Sequence, residues 1–483
     1  MQPAGQVLQT VTVHARRQPW RRSVFDWAFA ASVALAGLLA AWRWQDAMHG
    51  QELLLLPLAL AALIALGWFW RPLAWLTGAV ALGVAAAVAL YQGDVQRAGQ
   101  AFGLKYLLSS QSALLWMGVL VWMAALFHWV GLLGAGRQPA HQAAEWATEQ
   151  PKNQPQNQPV NQPKTPAQGV AQAVAPGGHA AQRLGSRLAW AAVGMALIGS
   201  GVRWHESYLL NPQAGHIPLS NLYEVFVLFI WLTLLFGLYF ESRRQARGLN
   251  AFVLLVVSAA VAFLFWYSAS RQGQIIQPLV PALQSWWMKL HVPANLVGYG
   301  MFALAAMAGL VSLLKTASPR ALWMGLAGTP ALAALLLLAL AHGMGLEPAK
   351  LAGISRMALL LAALFAVLIA LRPVLNPRTP GVAVLDDVMY KAIAVGFVFF
   401  TVATFTGALW AAEAWGAYWS WDPKEVWALI VWLNYAIWLH LRFIRGLRGQ
   451  VAAWWALVGL LIVTFAFVGV NMFLGGMHSY GRM

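Results

Sequence analysis

Stretches of about 20 consecutive apolar residues recur along most of this chain, and that recurrence restricts its fold more than any other feature. A run of that length crosses the hydrocarbon of a bilayer as a helix. Lipid offers the backbone no hydrogen-bond partner, so only helices and closed barrels span it. The runs here are continuous rather than alternating, which selects helices. Charged residues are 10% of the 483, too few for the surface of a soluble domain, and 60% are hydrophobic. The chain therefore reads as an all-α polytopic integral membrane protein. Its first run lacks an A-x-A-like cleavage site and is one of many, so it reads as a retained span.

The expected spans lie near 24–42, 52–70, 73–91, 113–135, 187–202, 221–240, 250–268, 293–314, 321–341, 354–371, 390–412, 425–443 and 450–472. That makes about thirteen transmembrane helices, within a range of 11–13. A polar segment at 136–186 interrupts them, and its middle, 151–167, is rich in Pro, Asn and Gln. Such a stretch cannot bury a core and is expected to be a disordered cytoplasmic linker. The expected organisation is thus a four-helix region at 1–135, the linker at 136–186 and a second membrane domain at 187–483. Basic residues set the orientation. Arg16, Arg17, Arg21 and Arg22, the stretch 242–249, the turn Lys315 to Arg320 and the stretch 441–448 all fall on one side if the spans alternate. Placing that side in the cytoplasm gives a cytoplasmic amino terminus and a periplasmic carboxy terminus. The opposite side then receives 203–220, 269–292, 413–424 and the tail from about 473.

The formal net charge is +16. In a membrane chain those cations lie in short loops and meet anionic lipid, so nucleic acid is not an expected partner. There is no cysteine, which excludes an Fe–S cluster, a thiolate ligand and a thiol redox cycle in this chain.

One loop carries a concentration of aromatic groups. AEAWGAYWSWDPKEVW places Trp415, Tyr418, Trp419, Trp421 and Trp427 together, with Asp422, Lys424 and Glu425 among them. Pro423 suits the first turn of the following helix, and Asp422 then sits at its N-cap. A single Trp here reads as part of an interfacial belt. Five aromatics in one loop form instead a patch suited to a large planar apolar ligand, such as haem. Haem iron takes axial ligands, most often His. His291 and His478 both fall at helix ends on the side of the loop, which suits a bis-His site. His440 lies within a span, about 22 Å below the loop at 1.5 Å per residue. It is either a snorkelling residue or part of a second, inner site. Packing or a helix–helix hydrogen bond is the reading for His128. His205 and His216 either line an entrance or shape their loop. His342 stands alone at another helix end, and His14, His141 and His179 lie in polar segments.

These residues resemble a known pattern. WGAYWSWDPKEVWALIVW is similar to the WWD motif of haem-handling membrane proteins in cytochrome c maturation. With SNLYEVFVLFIW, LHVPANLVGYGMF and VNMFLGGMHSYG, the chain looks like a member of the CcsA (ResC) family of system II, over 187–314 and 385–483. The resemblance implies haem b as the ligand. It implies His291 and His478 as outer iron ligands and His440 as a membrane-embedded ligand. Trp415, Trp419, Trp421 and Asp422 match the haem-binding platform of a WWD loop at 413–427, and the aromatic cluster adds Tyr418 and Trp427 as candidate haem contacts. The resemblance also implies a holocytochrome c synthase subunit of the bacterial inner membrane. Such a subunit adds the two thiols of an apocytochrome CxxCH motif to the haem vinyl groups. A CcsB-type membrane protein is the implied partner, and a thiol-reducing protein must keep the substrate cysteines reduced. The stretches 136–186 and 321–371 depart from shorter members of the family. A haem exporter without ligation activity is the alternative. An electron-carrying b-type cytochrome ranks last, because its paired His ligands usually sit within helices at matched depths.

Overall fold

The structure is a computed structural model that describes residues 22–45, 48, 50–134, 176–212, 215–243, 246–344 and 348–477. Arg16, Arg17, Arg21, His14, His141, His478 and the stretch 151–167 lie outside the described residues, as do the side chains of His179 and His342. Among the described residues every regular element is helical. The long helices are α1 (Val24–Trp44), α2 (Gly50–Phe69), α3 (Arg71–Tyr91), α4 (Ser110–Gly134), α5 (Pro176–Leu210), α6 (Leu222–Arg243) and α7 (Leu249–Arg271). They continue as α8 (Met288–Thr316), α9 (Thr329–Met344), α10 (Pro348–Ala370), α11 (Val382–Trp415), α12 (Pro423–Arg445) and α13 (Gly449–Thr464). A π turn, Phe465–Gly469, and a short helix, Val470–Phe473, prolong α13.

Twelve helices in the described residues are long and apolar enough to cross a bilayer. The expected span at 187–202 is not among them. It is the middle of α5, a 35-residue helix that carries Arg183, Arg187, Arg203 and Glu206. Its apolar stretch is shorter than the about 20 residues that cross a bilayer. The expected linker also ends early, because helix begins at Pro176 rather than beyond 186. Pro176 stands at the first helical position, where its missing N–H costs nothing.

The chain forms two compact units, residues 1–82 and 83–483. In the first, α1 packs on α2, and the Trp68 indole donates to the carbonyl of Asp26 at 2.8 Å. A capping box between Ser23 and Asp26 starts α1.

The second unit is organised around α8, which is buried along nearly its whole length. Small residues let neighbouring backbones approach it, the usual basis of helix contact in lipid. A Cβ on Gly298 would lie 3.2 Å from the carbonyl oxygen of Gly396 in α11. One on Gly309 would lie 3.0 Å from that of Ala453 in α13. Phe302 of α8 stacks on Tyr435 of α12 at 3.6 Å and 8°.

Two of the expected outer segments are fastened by one buried ion pair. Arg203 of α5 meets Glu224 of α6 at 2.6 Å, with side chains 3% and 2% exposed. The guanidinium also donates to the carbonyl of Gln274 at 2.6 Å. The second carboxylate oxygen of Glu224 accepts from the backbone N–H and the hydroxyl of Ser220, both at 2.7 Å.

Arg203→Ala leaves Glu224 charged and buried without its partner, a loss of about 3–5 kcal/mol. The thermal midpoint of the detergent-purified protein, followed by tryptophan fluorescence, is expected to fall by several degrees. Arg71→Ala removes a pair whose Arg side chain is 59% exposed and is expected to shift it far less.

Candidate functional site

A cavity of about 200 Å³ lies between the amino-terminal turns of α8 and α12, the end of α11 and the π turn after α13. The expected residues His291, Tyr418 and Trp419 line it. So do Lys424 and Glu425, the charged groups noted within the aromatic loop, and Asn295, Tyr299, Trp410 and Asn471, which sequence reasoning did not place there.

His291 sits in the first turns of α8, and its Nδ1 lies 2.7 Å from the carbonyl oxygen of Ala403 in α11. A carbonyl only accepts, so Nδ1 carries the proton and donates. The neutral ring therefore keeps its lone pair on Nε2, the arrangement that prepares an imidazole to hold a metal. The ring stacks on Trp410 at 6.1 Å and 23°. Trp410 is in turn fixed by its indole N–H, which donates to the carbonyl of Ala282 at 2.6 Å. Gly407 makes the seat possible, because a Cβ there would lie 2.7 Å from His291 Cε1.

The aromatic loop is shaped by its two helix ends. Gly416 closes α11 at φ 78°, a left-handed conformation that glycine adopts freely. Asp422 stands at the N-cap of α12 with Pro423 at the first turn, as the sequence predicts, and Glu425 completes a capping box with it. Between them Trp421 takes φ 58°, which costs a non-glycine residue about 1–2 kcal/mol. The capping box over-determines the loop: Glu425 Oε2 accepts from the backbone N–H groups of Ser420 at 2.7 Å and Asp422 at 3.1 Å.

The loop's side chains do not all converge. Trp421 is 70% exposed and turned edge-on to Trp419 at 5.9 Å. Trp415 packs edge-on against Trp410 at 4.9 Å, supporting the wall from behind. Trp427 packs on Phe465 of the π turn at 4.3 Å. None of these three lines the cavity. Asp422 is buried, and its second oxygen accepts from the backbone N–H of Met477 at 2.6 Å. The chain just before His478 is therefore held to the start of α12.

Two stripes mark the residues that were missed. His291, Asn295 and Tyr299 stand at i, i+4 and i+8 on α8, and Phe467 and Asn471 stand four apart. That spacing places side chains on one face of a helix.

His440 is exposed on α12, away from the cavity lining. Two residues on, Arg442 holds Asp386 of α11 with two hydrogen bonds, at 3.0 and 2.5 Å. His128 is buried, as read, with Nδ1 donating to Ala124 at 2.8 Å and Nε2 facing Ser186 at 3.4 Å. His216 shapes its loop: its backbone N–H donates to Ser207 at 3.0 Å, and its ring meets Ser220 at 3.3 Å. His205 packs edge-on against Tyr91 at 5.9 Å. Among the described residues no three His, Asp or Glu side chains gather as a metal cluster.

The model of the cytochrome C assembly protein family matches residues 219–478, a span that contains every wall of the cavity. The chain belongs to the CcsA family. It is similar to the cytochrome c biogenesis protein CcsA of Chlamydomonas reinhardtii, 34% identical over 286 residues, which are 58% of this chain and 63% of that one. The chain thus spans less than two thirds of that relative. CcsA of Synechococcus sp. (strain CC9902) is 35% identical over 269 residues, 56% of this chain and 79% of its own. CcsA of Microcystis aeruginosa is 35% identical over 285 residues, 58% and 82%.

Gly407→Ala puts a methyl group against the His291 ring and is expected to break its bond to Ala403. On the proposal that the cavity holds haem, haem content in protein produced with ample haem should fall several-fold. Gly78→Ala, at a position with nothing within 4 Å, should leave it unchanged.

Proposed function

We propose that this chain binds haem in the cavity beside His291 and presents it for covalent attachment to the CxxCH motif of apocytochrome c. The observation that carries this reading is the His291 ring, which lines an aromatic-walled cavity with Nδ1 spent on Ala403 and Nε2 left to ligate. The naming of CcsA relatives as cytochrome c biogenesis proteins supports it.

The residues present suit the ligand. Tyr418 and Trp419 offer aromatic faces to a flat macrocycle, and Lys424 sets a cation in the same wall. Bound haem supplies an iron that accepts imidazole nitrogen and vinyl groups that accept thiols. Trp410 and Ala403 hold the orientation of the His291 ring, and the capping box holds the loop. His478 serves as the second outer ligand, with the pinned Met477 just before it. The chain has no cysteine to compete with the substrate thiols, so a separate thiol-reducing protein keeps those reduced. Catalysis is then mainly the positioning of vinyl groups against thiols, and the chain acts as a synthase subunit.

His440 belongs to a different level. It lies about 22 Å along α12 from Glu425, beyond the reach of a ligand in the cavity. Its exposure within a span suits a ligand shared with another membrane protein, of the CcsB type. The outer site then faces the periplasm and the chain sits in the bacterial inner membrane. An exporter that releases free haem without ligation uses the same residues. It is distinguished by the absence of attached cytochrome in cells that accumulate haem outside.

The test is the absorption spectrum of the chain purified with its partner. Wild type is expected to show a bis-His haem, weakened or altered by His291→Ala and by His478→Ala. His440→Ala should lower haem supply without changing the ligation of what remains. Haem indifferent to both outer substitutions sinks the assignment.

A further inference from the structure

Glu425 has two oxygens in different situations. Oε2 completes the capping box and receives two loop N–H groups, at 2.7 and 3.1 Å. Oε1 is buried and has no hydrogen-bond partner, in a residue only 8% exposed. Capping needs one oxygen. A buried carboxylate oxygen left unbonded is costly, and native structures rarely keep one without use. Glu425 lines the same cavity as His291.

The other titratable groups that face this cavity are His291 and Tyr299 from α8, Tyr418 from the loop and Lys424 from α12 itself. None offers a base. One nitrogen of His291 is committed to Ala403, and the other is assigned to iron. Tyr299 and Tyr418 are phenols, weak acceptors near neutrality, and Lys424 donates while it is an ammonium. Asp422 does not line the cavity, and its oxygens serve the backbone N–H groups of Lys424 and Met477.

We propose that Glu425 is the proton-transfer group of thioether formation, an assignment that rests on the haem-attachment reading above. Addition of a thiol to a vinyl group moves one proton from sulfur to carbon. Oε1 takes the proton from the substrate S–H. The sulfur lone pair forms the bond to the inner vinyl carbon, and the π pair moves to the terminal carbon. That carbon takes the proton back from the Glu425 carboxyl group. One S–H bond and one π bond are lost, one C–S and one C–H bond are gained, and Glu425 ends as it began. Nothing is oxidised or reduced, so no further co-reactant is needed.

The variant that isolates this role is Glu425→Gln. Its amide oxygen still accepts the two loop N–H groups, and Gln is accepted in a capping box. Its amide nitrogen, in the place of Oε1, cannot take a proton. The full chain purified with its membrane partner is loaded with haem and given a reduced peptide containing CxxCH. Haem content, absorption spectrum, peptide binding and thioether formation are measured. Glu425→Gln is expected to keep the first three at wild-type values and to lose about a hundredfold in thioether rate. Its residual rate should climb with pH, as the peptide thiol ionises unaided near its ordinary value of about 8.5. Wild type should show no such climb.

Thioether formation at the wild-type rate in Glu425→Gln overturns the proposal. So does a parallel loss of haem or peptide, which would make Glu425 a builder of the site and nothing more. Failure of the wild-type chain to take up haem is a separate result that removes the haem-attachment reading itself.

Discussion

The second unit depends on a helix with almost no face left for lipid. α8 is packed on its sides by α6, α7, α11 and α13, and glycines at 298, 309 and 396 let backbones meet there. Association in a membrane gains little from hydrophobicity, so close contact of this kind has to supply it. The result is a rigid post. His291 stands in its first turns, and the carbonyl that orients the ring belongs to α11, the helix packed most closely against that post. The position of the imidazole is therefore a property of the helix packing, not of a loop.

Much of the fold is written in local chemistry. The apolar runs located the helices, because span length is set by bilayer thickness, but polar ends extend several of them, as where α11 starts at Val382 rather than near 390. Asp422 and Pro423 marked the start of α12, because capping is a matter of a few adjacent residues. The failures are of two kinds. At 187–202 a helix was right but its bounds were not, since Arg203 and Glu206 continue α5 beyond its apolar middle. At 176–186 a compositional argument for disorder gave way to a helix.

The site was half legible, for a reason the aromatic loop makes plain. Five rings close in sequence suggested one patch, but their helix positions send them to different neighbours. Trp419 and Tyr418 reach the cavity, Trp427 turns to Phe465 and Trp421 points outward. Nearness along a chain does not decide which way a side chain faces. Periodicity does: His291, Asn295 and Tyr299 form a stripe visible in the sequence once His291 is taken as a starting point. Trp410 carries no such mark, because its role comes from contact with His291 across two helices.

Asp422 is a single side chain that serves two segments. Its carboxylate holds the first turn of α12 and also the backbone at Met477, 55 residues away. Neither duty brings it to the cavity wall. A genetic screen scored on loss of cytochrome would nonetheless place Asp422 beside the residues that line the cavity, since its removal frees both segments at once. The acidic letter of this motif is a joint between two parts of the chain, and the severity of a mutant there measures slack rather than contact.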